Sequence, residues 1–166
     1  VGSGPAGLTA AYDLVRAGFG VTVYEAASEP GGILSRVIPE FKLPKAAVLA
    51  DIDYIRGLGV EIRTDTPVGK DPSLASLREK HGAGILAVGS WSPLLLNIPG
   101  TDREGVYYAL PLMEELKKGK AIDLGKRVVI IGGGNTAMDV ARVALRRGAK
   151  KVRIACLESA KAMPAH

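Results

Sequence analysis

Two short glycine runs constrain this chain more than any other feature. Gly2-Ser3-Gly4-Pro5-Ala6-Gly7 opens it, and Gly132-Gly133-Gly134-Asn135-Thr136-Ala137 recurs near its end. Both fit the pattern G-x-G-x-x-G/A. The first glycine of such a run allows a tight strand-to-helix turn, and the second lets the backbone approach a pyrophosphate closely. The third small residue lets the helix pack on the sheet. The phosphates then face a helix N-terminus, where unsatisfied N–H groups and the helix dipole favour negative charge. Two such runs in one polypeptide predict two strand–loop–helix–strand units, and so an α/β fold of the Rossmann kind.

The residues around each run agree. Leu8, Ala11, Leu14 and Val15 fall on one helical face, with Gly18 in the stop position. Val21-Thr22-Val23-Tyr24 reads as a strand ending at Glu25. An acidic side chain there can accept hydrogen bonds from an adenosine ribose. Pro30-Gly31-Gly32 reads as a turn, and Ile38-Pro39-Glu40-Phe41-Lys42-Leu43-Pro44 as loop. The spacing predicts a second helix over 45–58, with Ala46, Leu49, Ile52 and Ile55 as its apolar face. It is followed by Gly59 and a strand over 60–63. Asp71 is a candidate N-cap for a short helix through Lys80, and 84–89 reads as a buried parallel strand. The stretch 92–125, broken by Pro93, Pro99 and Pro111, reads as a crossover with one short helix over 112–118. The pattern then restarts with a strand over 127–131, a helix over 136–147 stopped by Gly148, and a strand over 152–157. Asn135 and Thr136 are expected to cap this last helix and to offer hydrogen bonds to phosphate. Asp139 reads either as favouring the helix dipole or as solvated. The domain boundaries predicted are 1–125, including the crossover, and 126–166, the first βαβ unit of a second domain. Only Val1 precedes the first loop, where a strand of about five residues is usual. The chain is therefore expected to begin inside a strand and to be part of a longer protein, with unpaired sheet edges that favour some self-association.

Composition narrows the function classes. Gly is frequent at 21 residues, and aromatics are 5% of the chain. The net charge of +5 comes from spread basic residues, which suits a phosphate-rich ligand and does not point to nucleic acid. A single cysteine, Cys156, excludes a disulfide framework, a C-x-x-C dithiol and a cysteine-built metal site within these residues. Cys156 reads as a small buried strand residue, and His81 and His166 as surface residues. No apolar run approaches the roughly 18 residues of a membrane span, and the cytoplasm is the expected compartment.

The order Gly-Ser-Gly-Pro-Ala-Gly-Leu, then Glu25-Ala26, Pro30-Gly31-Gly32-Ile33-Leu34 and the loop Ile38 to Pro44, resembles the glutamate synthase small (β) subunit group. These are flavoproteins with two dinucleotide-binding domains. The similar flavin modules of dihydropyrimidine dehydrogenase and electron-bifurcating transhydrogenases belong with them. The resemblance covers essentially the whole chain, and Val37 stands where many members carry glycine. It implies a Rossmann-like FAD-binding domain followed by the start of a Rossmann-like NAD(P)-binding domain. It implies that Gly2, Gly4, Pro5, Ala6 and Gly7 face the FAD pyrophosphate, that Glu25 holds the ribose, and that Gly32 lies near the flavin. It also places Val88-Gly89 against the cofactor. In the second loop it implies a nicotinamide cofactor on Gly132, Gly134, Asn135 and Thr136.

Many members carry paired arginines where Leu157-Glu158 stands here. Arginine there would pair with the 2′-phosphate of NADPH, whereas Glu158 would repel it and accept from a free 2′-hydroxyl. The residues thus lean towards NADH, with Arg153 and Lys161 as alternative phosphate partners. The implied activity is hydride transfer between NAD(P)H and FAD, with electrons passed on to an iron–sulfur domain or subunit. The cofactors carry that chemistry, so no catalytic residue is named. The alternative is a dinucleotide-binding module without chemistry of its own.

Overall fold

The computed structural model describes residues 1–159 and 161–165. His166, expected at the surface, lies outside the described residues. The chain divides into two compact units, the first spanning Val1–Ser90 and the second beginning at Trp91.

In the first unit, α1 (Pro5–Arg16) starts with proline at its first position, where a missing N–H costs nothing. It runs to Ala17, and Gly18 takes φ +89° to turn the chain away. β1 (Thr22–Tyr24) pairs in parallel with β2 (Glu61–Arg63), Thr22 opposite Glu61 and Tyr24 opposite Arg63. Between them come α2 (Ile33–Arg36) and α3 (Lys45–Gly57). The core gathers Leu8 and Ala11 of α1, Val23 of β1, Val48, Ile52 and Ile55 of α3, and Val60. The buried stripe of α3 is therefore 48/52/55, and Ala46 is exposed. The observed face is rotated from the expected one because Val48, a better core residue than Ala46, is also in helical phase with Ile52 and Ile55. Val37 is buried with φ −126°, a conformation open to any residue, so this backbone path does not need the glycine expected there from the resemblance.

α4 (Leu74–Lys80) is capped by Ser73, whose side chain accepts from Ser76 N–H at 3.1 Å. Asp71 precedes Pro72 and is not the cap. Segment 84–89 departs further from expectation. Val1 donates its ammonium to the Ile85 carbonyl at 2.7 Å, and Ala87 N–H donates to the Val1 carbonyl at 2.8 Å. Gly2 N–H meanwhile reaches the Tyr24 carbonyl at 2.8 Å. The segment thus follows the parallel direction with one rung, and Ile85, Leu86 and Val88 are exposed rather than buried. One rung does not make a regular strand, and no layer among the described residues covers these side chains. His81 is half-buried, its Nε2 3.2 Å from the Tyr24 hydroxyl, and so is not a plain surface residue.

In the second unit, α5 (Ala109–Lys117) precedes β3 (Arg127–Ile131), α6 (Asn135–Arg146) and β4 (Lys151–Ala155). Pro111 sits in the first turn of α5, where it is tolerated. β3 and β4 pair in parallel, with Arg127 opposite Lys151 and Ile131 opposite Ala155. Ala137, Val140 and Ala144 form the buried stripe of α6, and Gly148 (φ +96°) ends it. Asp139 is buried, not solvated. Among the described residues no helix is long and apolar enough to cross a membrane.

Candidate functional site

Each glycine run folds as the turn from a strand position into a helix. Gly2 takes φ +97°, a region closed to most side chains, and a Cβ there would lie 2.3 Å from the Ala87 carbonyl oxygen. Gly4 caps α1 in an extended conformation and has open space where a Cβ would point. A Cβ on Gly7 would lie 1.9 Å from the Gly2 carbonyl oxygen, so the helix packs on its own entry turn only because this residue is glycine. Pro5 and Ala6 form the exposed first turn. Proline has no N–H, so Ala6 and Gly7 supply the early N–H groups for which a helix has no internal acceptor.

Glu25 comes to this loop from the end of β1. It is 7% exposed, and its Oε2 accepts from both Ser3 N–H (2.9 Å) and Ser3 Oγ–H (2.5 Å). Its Oε1 accepts from Ala27 N–H at 2.8 Å. Burial pushes the carboxyl up, but the bonds from Ser3 and Ala27, with the nearby Arg36 guanidinium, outweigh it and hold Glu25 below its ordinary value. Gly31 N–H donates to the Ser3 carbonyl (3.0 Å) and to Ser3 Oγ (3.1 Å). A Cβ on Gly32 would lie 2.9 Å from Gly4 Cα. The structure therefore brings Gly2, Gly4, Gly7, Glu25 and Gly32 together. Val88 and Gly89 lie on the neighbouring segment, and the would-be Cβ of Gly2 comes 3.2 Å from Val88 Cα. Sequence reasoning passes over Ser3, which fills only a variable position in the pattern. Its signal is a hydroxyl placed between two glycines with a strand-end acid downstream.

A separate concavity of roughly 860 Å3 lies beside α1, β1 and α4, walled by Gly2, Gly7, Leu14, Phe19, Tyr24 and His81 among others. It is largely apolar and reaches neither Glu25, Gly4 nor Gly32, so it is not the phosphate cradle.

The second loop repeats the backbone. Gly132 takes φ +129° and donates its N–H to the Ala155 carbonyl at 2.8 Å, as Gly2 does to Tyr24. Gly134 caps α6, with no side-chain cap bond. Asn135 and Thr136 are therefore the first residues of the helix and not its cap, because the extended residue before them is the second glycine of the run. Ala137 takes the place of Gly7, and its methyl is accommodated 4.0 Å from the would-be Cβ of Gly132. In this register Cys156 stands where Glu25 stands in the first unit, and Glu158 follows two residues later. Cys156 is half-buried, its Sγ donating to the Glu158 carbonyl at 3.4 Å. The Glu158 carboxylate is exposed yet turns back to the loop, with Oε2 3.3 Å from where a Cβ on Gly133 would sit.

A family described as pyridine nucleotide-disulphide oxidoreductase matches residues 1–163. The chain is 40% identical to the NADPH-Fe(3+) oxidoreductase subunit beta of Geobacter sulfurreducens over 170 residues, covering 99% of this chain and 25% of that protein. It is 42% identical to the NADH glutamate synthase of Schizosaccharomyces pombe over 165 residues, 92% of this chain and 8% of that one. Among solved structures, Mycobacterium tuberculosis FprA in complex with NADPH aligns with a TM-score of 0.79 at 28% identity, over 92% of this chain and 41% of FprA. The chain thus spans a quarter or less of the length of these two curated relatives.

Proposed function

This chain belongs to the pyridine nucleotide-disulphide oxidoreductase family, and from that premise we propose that its first loop holds FAD and its second a nicotinamide dinucleotide. The proposed reaction is hydride transfer from NAD(P)H to FAD, with electrons passed on to an iron–sulfur domain or subunit. The observation that carries the proposal is the repeated turn geometry: two glycine loops, each opening a helix and each faced by a carboxylate.

The first loop fits a dinucleotide on its own geometry. Gly4 leaves open space for a diphosphate, and the Ala6 and Gly7 N–H groups face it at the positive end of the helix dipole. Glu25 has used three of about four lone-pair sites on Ser3 and Ala27, which leaves acceptor capacity on Oε1 for a ribose hydroxyl. Gly32, against Gly4, brings the following turn close enough to border the flavin end. A bound flavin supplies the hydride acceptor and releases electrons onward. The chain's own residues bind, orient and exclude water, and none is assigned a proton transfer.

In the second loop, Gly134, Asn135 and Thr136 face the nucleotide diphosphate. Glu158, beside Gly133, accepts from a ribose 2′-hydroxyl and repels a 2′-phosphate, which favours NADH. NADPH is the second reading, favoured by the names of the Geobacter relative and of the NADP(+)-dependent formate dehydrogenase subunit beta of Moorella thermoacetica. With a single cysteine in these residues, no dithiol of this segment takes the electrons. The designation of these relatives as beta subunits supports an electron acceptor on another subunit.

Anaerobic titration of the FAD-saturated chain, first with NADH and then with NADPH, tests the reading. Bleaching of the flavin absorbance, at lower concentration with NADH, is expected. A flavin that binds but is reduced by neither would reduce the chain to a binding module.

A further inference from the structure

Ser3 occupies the one position of the first loop that the glycine pattern leaves free, yet it is completely buried at 0% exposure. Its polar atoms are engaged in two directions. N–H and Oγ–H both donate to Glu25 Oε2, at 2.9 and 2.5 Å. The carbonyl oxygen and Oγ both accept from Gly31 N–H, at 3.0 and 3.1 Å. One residue thus joins the glycine loop, the strand-end acid and the Pro30-Gly31-Gly32 turn, and that turn in turn packs Gly32 on Gly4.

We propose that Ser3 is the positioning residue of the first loop, fixing the Glu25 carboxylate as a buried acceptor and setting the distance between that acid and the Gly31-Gly32 turn. It rests on the reading of this loop as the FAD site. The second loop shows what the position looks like without it. Gly133 has no side chain to offer, and the acid there, Glu158, is exposed.

The chemistry follows from the donor count. A buried carboxylate is tolerable when its oxygens are hydrogen-bonded and costly when they are not. Without the hydroxyl, Oε2 keeps one N–H, and burial regains weight against ionisation. The charges around Glu25 are Arg36 from α2 and the Val1 ammonium. Arg63 from β2 is committed to Glu61 at 2.8 Å and to the Tyr24 ring.

The test compares Ser3→Ala and Ser3→Thr with the parent chain. The Glu25 carboxyl is titrated by carbon NMR without cofactor, and FAD affinity is measured across acid to neutral pH. Ser3→Ala is expected to raise the Glu25 midpoint and to weaken FAD binding roughly ten-fold, the loss growing as pH falls. Ser3→Thr, which keeps the hydroxyl, is expected to restore both. Should Ser3→Ala fail to fold, Ser3→Gly, matching the residue of the second loop, is read in its place with the same expectation. A Glu25 midpoint unmoved by loss of the hydroxyl overturns the proposal. A midpoint that moves in a chain that binds no FAD upholds the positioning role, and what falls is the assignment of FAD to this loop.

Discussion

The two glycine loops share a backbone and differ in where they admit a side chain. Both open with a left-handed glycine, Gly2 at φ +97° and Gly132 at φ +129°, and both cap a helix with an extended glycine. At the last position they part. The first loop excludes a methyl, since the Gly2 carbonyl stands 1.9 Å from the would-be Cβ of Gly7, whereas the second holds Ala137. At the second position the tighter fit is in the second loop. Ser3 fits because its hydroxyl donates to Glu25 and accepts from Gly31 N–H, while a Cβ on Gly133 would crowd Cys156 Cβ at 3.1 Å and Glu158 Oε2 at 3.3 Å, so that these neighbours would have to give way. The fingerprint therefore fixes the turn, and the packing around it decides which of its positions must be bare. The first loop is built around a buried acid locked to it, and the second around an exposed acid folded back over it.

The largest effect expected from breaking this difference is at the helix entry. Gly7→Ala should destabilise the first unit by about 3 kcal/mol or more and abolish FAD binding, because carbonyl and methyl cannot share the space. The reciprocal change, Ala137→Gly, should cost only about 1 kcal/mol of helix propensity. Urea denaturation of the two variants compares them directly.

Next comes Gly133→Val, which crowds the Cys156 Cβ just past β4 and displaces the Glu158 carboxylate. It should weaken nucleotide binding by about ten-fold or more, read by fluorescence titration, and leave FAD affinity unchanged. Glu158→Arg should then shift the ratio of NADH to NADPH affinity towards NADPH by about ten-fold, as repulsion of a 2′-phosphate becomes a charge-assisted hydrogen bond.

The pH dependence is smaller and belongs to the first loop. Glu25 is held below its ordinary value in the folded chain. Its contribution is therefore fully present above the carboxylate range of the unfolded chain and is lost as pH falls through the lowered folded value. Thermal melting should hold steady from neutral pH into that range and drop below it, and Glu25→Gln should flatten the drop. The smallest expected effect is self-association through the exposed Ile85, Leu86 and Val88. Light scattering should show a rise in mass with concentration, and a constant monomer mass would remove the idea.

Much of this is legible in the sequence, because the decisive residues are special backbone residues. Glycines at 2, 18, 59, 132 and 148 mark turns whose geometry few other residues adopt, and they delimit α1, β2 and α6 closely. The strand over 127–131 is legible to the residue, since β-branched residues fill it between a turn and a glycine run. What is not legible depends on tertiary partners. The period of α3 allows either Ala46 or Val48 beside Ile52 and Ile55, and the core it packs against takes the larger Val48. The four residues of α2 are too short to show periodicity. The cap of α4 falls to Ser73 over Asp71, a choice between two good capping residues near a proline. Segment 84–89 has the composition of a buried strand, but burial needs a covering layer that composition cannot reveal. Ser3 is invisible because a variable position gains its meaning only from the acid and the turn brought to it.

The central claim is a division of labour: FAD on the first loop, the nicotinamide nucleotide on the second. It is tested most directly by titrating FAD and NADH separately against Gly7→Ala and Gly133→Val. The account predicts crossed losses, with Gly7→Ala losing FAD while still binding NADH, and Gly133→Val the converse. Both ligands lost together from a folded variant, or FAD retained by Gly7→Ala, would contradict it.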